Sequence, residues 1–215
     1  MRDKLIHLLL NWYFSAILAP LLMFPRLAQT RVVRAFIRTF FGTILAPRYH
    51  KVIALYGQRY DMALSAGLDV AASLALRPIH TIVDCGTGTG HVTLKMASSF
   101  PGSNLISVDA VEPMLQLAGK NFTSQKCFAQ LVCGDIARLP LRDGCADLVV
   151  AQNTLPFLQE FARICAPGGI VLFADSSAKF LPGIATRGAV KTGKFDLVRA
   201  GTAELGFFVV GRRSE

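Results

Sequence analysis

The sequence predicts an α/β protein: a doubly wound sheet of buried strands alternating with helices, behind a helical extension over residues 1–46. Three observations carry this. Short apolar runs at 81–85, 105–108, 128–132, 146–151 and 170–174 are separated by segments of helical period. Three alternating glycines, Gly86, Gly88 and Gly90, sit where the first run passes into a helical pattern. The charge is lopsided: of a net +9, residues 1–60 hold nine basic side chains against Asp3 alone.

The glycine stretch Asp84-Cys85-Gly86-Thr87-Gly88-Thr89-Gly90 organises the chain. Glycines at this spacing allow a sharp strand-to-helix turn and a close approach of backbone to a ligand. A phosphate-binding loop would end in Gly-Lys-Ser/Thr, but the first lysine here is Lys95, one turn into the helix. A dinucleotide fingerprint carries its acid on the following strand, whereas Asp84 precedes the glycines. A carboxylate there disfavours a pyrophosphate and suits an ammonium or sulfonium group, so the expected ligand is cationic.

The rest of the chain follows in order. Helix 91–99 stops at Phe100-Pro101-Gly102, and strand 105–108 closes on Asp109, 25 residues after Asp84, a normal βαβ interval. Helix 111–120 and strand 128–132 come next, followed by Gly134-Asp135-Ile136. Asp143-Gly144 turns into strand 146–151, from which Gln152 and Asn153 emerge. Helix 157–165 leads through Ala166-Pro167-Gly168-Gly169 to strand 170–174, and strands at 195–200 and 206–211 complete the sheet.

The glycine motif, together with Phe100-Pro101, Val108-Asp109, Met114-Leu115, Gly134-Asp135, Leu139-Pro140, Asp147-Leu148-Val149-Val150 and residues 163–169, resembles the class I S-adenosylmethionine-dependent methyltransferases. The pattern is similar to the ubiquinone/menaquinone and phospholipid methyltransferase type. This resemblance implies a Rossmann-like, seven-stranded methyltransferase sheet over residues 47–215, with S-adenosylmethionine as cofactor. It places Asp84, Cys85, Gly86, Thr87, Gly88, Gly90 and Ala110 around the cofactor, with Asp109 at its ribose. It puts Met114 beside the adenine, Asp135 as acceptor from the adenine amine, Ile136 with its backbone facing the ring, and Gln152 at the end of the fourth strand. Asn153-Thr154-Leu155-Pro156-Phe157 departs from the N-P-P-Y box of amino-group methyltransferases, so no amine acceptor follows from it.

Composition narrows the class. Five cysteines, none spaced C-x-x-C, read as reduced and mostly buried thiols, and four scattered histidines give no metal cluster. The basic excess lies outside the catalytic part, which argues against a nucleic-acid reader.

Residues 5–24 carry no charge and match the length that crosses a hydrocarbon core. His7, Asn11 and Ser15 form a polar stripe along them and Pro20 interrupts the end, so spanning and interfacial placement are both open. A cleaved secretory signal is the third reading; it conflicts with the cytosolic cofactor that the resemblance implies. On a helix starting near Arg31, Arg31, Arg34 and Arg38 share one side, and Val32, Val33, Phe36, Ile37, Phe40, Phe41 and Ile44 share the other. That is a basic amphipathic helix of the membrane-surface kind. Residues 48–76 read as a further helix bearing Tyr49, Tyr56 and Tyr60.

The expected function is methyl transfer to a lipid or other membrane-borne acceptor, on the cytoplasmic side of a membrane contacted through residues 5–45. Two alternatives stand beside it: a soluble small-molecule or protein methyltransferase whose N-terminal helices form a dimer seam, and a membrane-tethered protein that binds the cofactor without turnover. The sequence names no catalytic base, although His50 and His91 are available, and it points to neither an acceptor atom nor an oligomeric state.

Overall fold

The computed structural model describes residues 27, 30–48, 59–176, 188–189, 192–204 and 206–215. The uncharged run 5–24, Tyr49, Tyr56, His50 and most of segment 176–194 lie outside the described residues. No helix among the described residues is long and apolar enough to cross a membrane.

Seven strands form one sheet: β1 (Thr81–Cys85), β2 (Asn104–Asp109), β3 (Ala129–Cys133), β4 (Ala146–Gln152), β5 (Cys165–Asp175), β6 (Phe195–Ala203) and β7 (Gly206–Arg213). Their order is β3-β2-β1-β4-β5-β7-β6, with β7 antiparallel to both its neighbours and the rest parallel. The chain winds outward from β1 in one direction and restarts at β4 in the other. The carboxyl ends of β1 and β4 therefore flank the crevice where open α/β sheets bind ligands.

Five α-helices are described: α1 (Arg31–Thr39), α2 (Arg59–Leu74), α3 (His91–Ser99), α4 (Glu112–Ser124) and α5 (Leu158–Ile164). The central strands are apolar on both sides because both faces are covered. Ile82, Leu148, Val150 and Leu172 pack with Leu64 and Leu68 of α2 and Met96 of α3. Val83, Val149 and Phe173 face the other way, against Phe161 and Ile164 of α5.

Most predicted elements lie within a few residues of the observed ones. The predicted turn at Pro167-Gly168-Gly169 is instead absorbed into β5. Cys165 pairs with Ala146 and Ile170 with Leu148, so five positions on β5 oppose two on β4, and Gly168 takes φ +70° in the bulge. Helix 48–76 is described from Arg59 and ends at Leu74.

The N-terminal segment departs further from expectation. Thr30 caps α1, and after Thr39 the helix widens into a π-helical stretch, Phe40–Leu45, and a 3-10 turn, Ala46–Arg48. Phe40 and Phe41 pack with Ala46, Tyr60, Val111 and Met114, docking the segment on the domain between α2 and the start of α4. No residue of α1 is buried. Val33, Arg34 and Ile37 are half-buried, whereas Arg31, Val32, Phe36 and Arg38 are exposed. The expected split persists along α1, with Arg31, Arg34 and Arg38 on one side; what the domain meets is one edge of the helix, where Arg34 reaches the Asp135 carboxylate and Val33 and Ile37 are half-buried, while Val32 and Phe36 stay in solvent.

Candidate cofactor site

The site is built on the carboxyl ends of the first four strands. At the end of β1 the chain turns through Gly86, Gly88 and Gly90, with φ of +81°, +55° and +85°, conformations that side chains rarely adopt. The N–H groups of Gly86 and Thr87 both donate to the Val108 carbonyl, at 2.8 and 3.0 Å, tying the loop to β2. A Cβ on Gly86 would lie 2.8 Å from Thr154 Oγ1, so the chain leaving β4 closes tightly over this turn.

Asp84 is 2% exposed and turns beneath the loop. Its Oδ2 accepts from the hydroxyls of Thr87 and Thr93, each at 2.7 Å, and Ser107 Oγ lies 2.7 Å from Thr93 Oγ1. Burial pushes the Asp84 carboxyl up to about 6, against the pull of the two threonine bonds. Oδ1 is buried with no hydrogen-bond partner among the described residues. The residue expected to meet a cation directly is thus first a brace for the loop, with one acceptor left over.

At the end of β2, Asp109 Oδ2 accepts from Gly88 N and Oδ1 from Val111 N, both at 2.8 Å. Burial raises its pKa, partly offset by these backbone donors. An ionised carboxylate has about four acceptor positions, so two remain for ribose hydroxyls. Gly134 N donates to the Asp109 carbonyl at 2.9 Å, which holds Asp135 beside it. Asp135 Oδ1 accepts from Ala137 N at 2.9 Å, and Oδ2 lies 2.7 Å from Arg34 Nη1.

At the end of β4, Gln152 is 5% exposed. Its amide nitrogen donates to the Tyr60 carbonyl at 2.8 Å and to Ser176 Oγ at 2.9 Å, and Oε1 is buried without a partner among the described residues. Asn153 follows with φ +53°, its Oδ1 accepting from Ser176 N at 2.7 Å. Ser176 and Tyr60 O thereby lock β4, β5 and α2 together at the crevice.

Other expected residues are placed as follows. Cys85 is wholly buried in the core below the loop and burial drives its thiol upward, so only its backbone can reach a ligand. Met114 is enclosed by Phe40, Phe41, Val111 and Tyr60. Ala110 and Ile136 are half-buried at the ends of their loops. Of the cysteines, Cys85 and Cys165 are buried, Cys127 and Cys145 intermediate, and Cys133 exposed. The expectation of mostly buried thiols is corrected, since Cys133 ends the edge strand β3 and Cys127 and Cys145 lie in connections. No group of three metal-ligating side chains occurs among the described residues.

Sequence reasoning missed two clusters. His91 Nε2 lies 2.7 Å from Asp61 Oδ1, with Lys95 Nζ 3.7 Å from Oδ2 and the Tyr60 ring edge-on to the imidazole at 5.2 Å. Burial acts upward on Asp61, but the His91 bond and the charges of His91 and Lys95 outweigh it and leave the carboxyl below its ordinary value. The other is the Arg34–Asp135 pair. Neither has a local signal, because the partners come together only through the tertiary fold.

The residues present fit S-adenosylmethionine. Two buried acceptors, Asp84 Oδ1 and Gln152 Oε1, lie on adjacent strand ends without partners among the described residues, where a cationic, donor-bearing group would satisfy them. Asp109 keeps acceptor capacity for a diol.

The fold is that of the S-adenosylmethionine-dependent methyltransferases. The structure of magnesium protoporphyrin IX methyltransferase from Synechocystis PCC 6803, with S-adenosylmethionine bound, superposes with TM-score 0.64 at 14% identity, covering 84% of this chain and 96% of that one. Residues 83–173 match the family described as "Methyltransferase domain". This segment is a class I S-adenosylmethionine-dependent methyltransferase domain.

Among curated proteins, the malonyl-[acyl-carrier protein] O-methyltransferase of Marinomonas sp. is 29% identical over 147 residues, covering 65% of this chain and 54% of that protein. The ubiquinone/menaquinone biosynthesis C-methyltransferase of Syntrophotalea carbinolica is 32% identical over 135 residues, covering 55% and 57%. The chain spans about half the length of the curated relatives it matches.

Proposed function

We propose that this chain transfers the methyl group of S-adenosylmethionine to a lipid or other membrane-borne acceptor, at the cytoplasmic face of a membrane. The observation that carries the acceptor class is the outer side of α1. Val32 is 79% and Phe36 50% exposed, one helical turn apart, with exposed Arg31 and Arg38 beside them. Apolar side chains flanked by arginines suit an anionic bilayer surface, with about 1 kcal/mol for each arginine near it. The likeness to a protein of ubiquinone/menaquinone biosynthesis favours the same class.

When bound, S-adenosylmethionine would supply an electrophilic methyl carbon on a sulfonium whose sulfur can leave as a neutral thioether. The chain's own work is placement. The glycine turn and Asp109 fix the donor, Asp84 and Gln152 offer acceptors at the crevice, and Thr154 closes the turn from the β4 side. Positioning of this kind accounts for much of the acceleration of a two-partner displacement.

Incubation with methyl-labelled S-adenosylmethionine and a total membrane extract tests the reading. Label is expected in the lipid fraction. Label only in protein or aqueous fractions would remove the membrane acceptor and favour the soluble enzyme with a dimer seam. Cofactor binding with no labelled product would favour the tethered binding protein.

A further inference from the structure

Arg34 lies 49 residues upstream of the matched domain, yet its Nη1 is 2.7 Å from Asp135 Oδ2. We infer that Arg34 is a positioning residue for the cofactor site: it fixes the Asp135 carboxylate for the purine amine and makes α1 part of the binding site. This rests on the reading of the crevice as an S-adenosylmethionine site.

Three observations support it. Asp135 Oδ1 is already held by Ala137 N at 2.9 Å, so Arg34 on Oδ2 completes a two-point clamp on one carboxylate. A carboxylate with two acceptor positions used retains about two, so the clamp leaves room for a ligand donor. The segment bearing Arg34 is itself docked: Phe40 and Phe41 pack against Val111 and Met114, and a Cβ on Gly42 would touch Val111 Cγ1 at 3.4 Å. Val111 is also the residue whose N–H holds Asp109 Oδ1. One anchored segment thus pairs directly with the purine-side carboxylate and packs on the residue that holds the ribose-side one.

The geometry favours cooperation over competition. A blocking pair would use up the carboxylate, whereas this one takes one position on each oxygen. Holding a side chain in its bound orientation beforehand lowers the ordering cost of binding.

The test is a double-mutant cycle read by calorimetry with S-adenosylhomocysteine, using the full chain. Arg34→Ala and Asp135→Ala should each weaken binding roughly tenfold, and the double variant should be no weaker than Asp135→Ala alone. Arg34→Lys should restore part of the loss, and Arg199→Ala, exposed on β6, should leave the affinity unchanged. Losses that add, or tighter binding by Arg34→Ala, would overturn the inference. Should Arg34→Ala fail to fold, Arg34→Gln in the same cycle must give the same coupling or the inference falls. If the wild-type chain itself binds no S-adenosylhomocysteine, the cofactor reading fails instead.

Discussion

The backbone N–H of Gly88 donates to Asp109 Oδ2 at 2.8 Å, so the carboxylate at the end of β2 is also the strut of the glycine turn after β1. The side chain expected at the ribose therefore also orders the loop.

Asp109→Ala is therefore expected to act twice. Each charge-assisted bond lost to the ribose costs about 1.5–3 kcal/mol, roughly ten- to 150-fold in affinity. The unligated protein should also melt at lower temperature because Gly88 N and Val111 N lose their acceptor. Calorimetry with S-adenosylhomocysteine and a thermal melt check the two effects, and unchanged affinity would remove Asp109 from the site.

Asp84 predicts a pH dependence of definite sign. Its carboxyl is raised from 3.8 to about 6 in the folded chain, so between these values the native state binds more protons than the unfolded one. Its contribution therefore falls as pH rises through that window and is flat above it. The stability of wild type relative to Asp84→Asn should be greatest near pH 4 and drop by about 3 kcal/mol, at 1.36 kcal/mol per unit, by pH 7. Denaturant titrations of both proteins at several pH values measure it; a difference that grows with pH would contradict the buried, threonine-braced carboxylate.

Gly88→Val places a β-branched residue at φ +55°, a strain of about 1–3 kcal/mol, and puts a side chain on the turn that approaches the ligand. The fold should persist by circular dichroism while equilibrium dialysis shows no retained cofactor. Normal retention would mean that the loop is only a turn.

Arg163 makes the opposite prediction, stability without binding. Its guanidinium donates to both Glu160 oxygens, to Asp143 Oδ1, and to the carbonyls of Leu139 and Leu141, fastening the chain between β3 and β4 to α5. Because the side chain is 31% exposed, solvent screens part of this. Arg163→Met should lower stability by about 1–3 kcal/mol with cofactor affinity preserved in the folded fraction.

The central strands were legible because a doubly covered parallel strand is a continuous apolar run, and β1 matches residue for residue. The glycine turn and the three carboxylates were legible for the same local reason: each begins or lies within two residues of a strand's end. What the sequence concealed depends on distance along the chain. The side of α1 that meets the domain is chosen by Asp135, 101 residues away, and no periodicity within the helix reports it. The inward turn of Asp84 likewise depends on Thr93 and Ser107, one on a helix and one on the next strand. The Pro-Gly-Gly turn was misjudged because a bulge lets a strand keep its partner through residues that usually end one.

The docking of Phe40 and Phe41 beside Met114 also bears on how the protein can be dissected. The compositional boundary at residue 46 cuts through a packed cluster, since Ala46 is itself 4% exposed. A chain begun there would lose Arg34 and both phenylalanines along with the uncharged run, so any loss of activity would confound two losses. A cut just before Thr30, the cap of α1, separates them: the uncharged run goes, while Arg34 and both phenylalanines stay packed beside the strand ends.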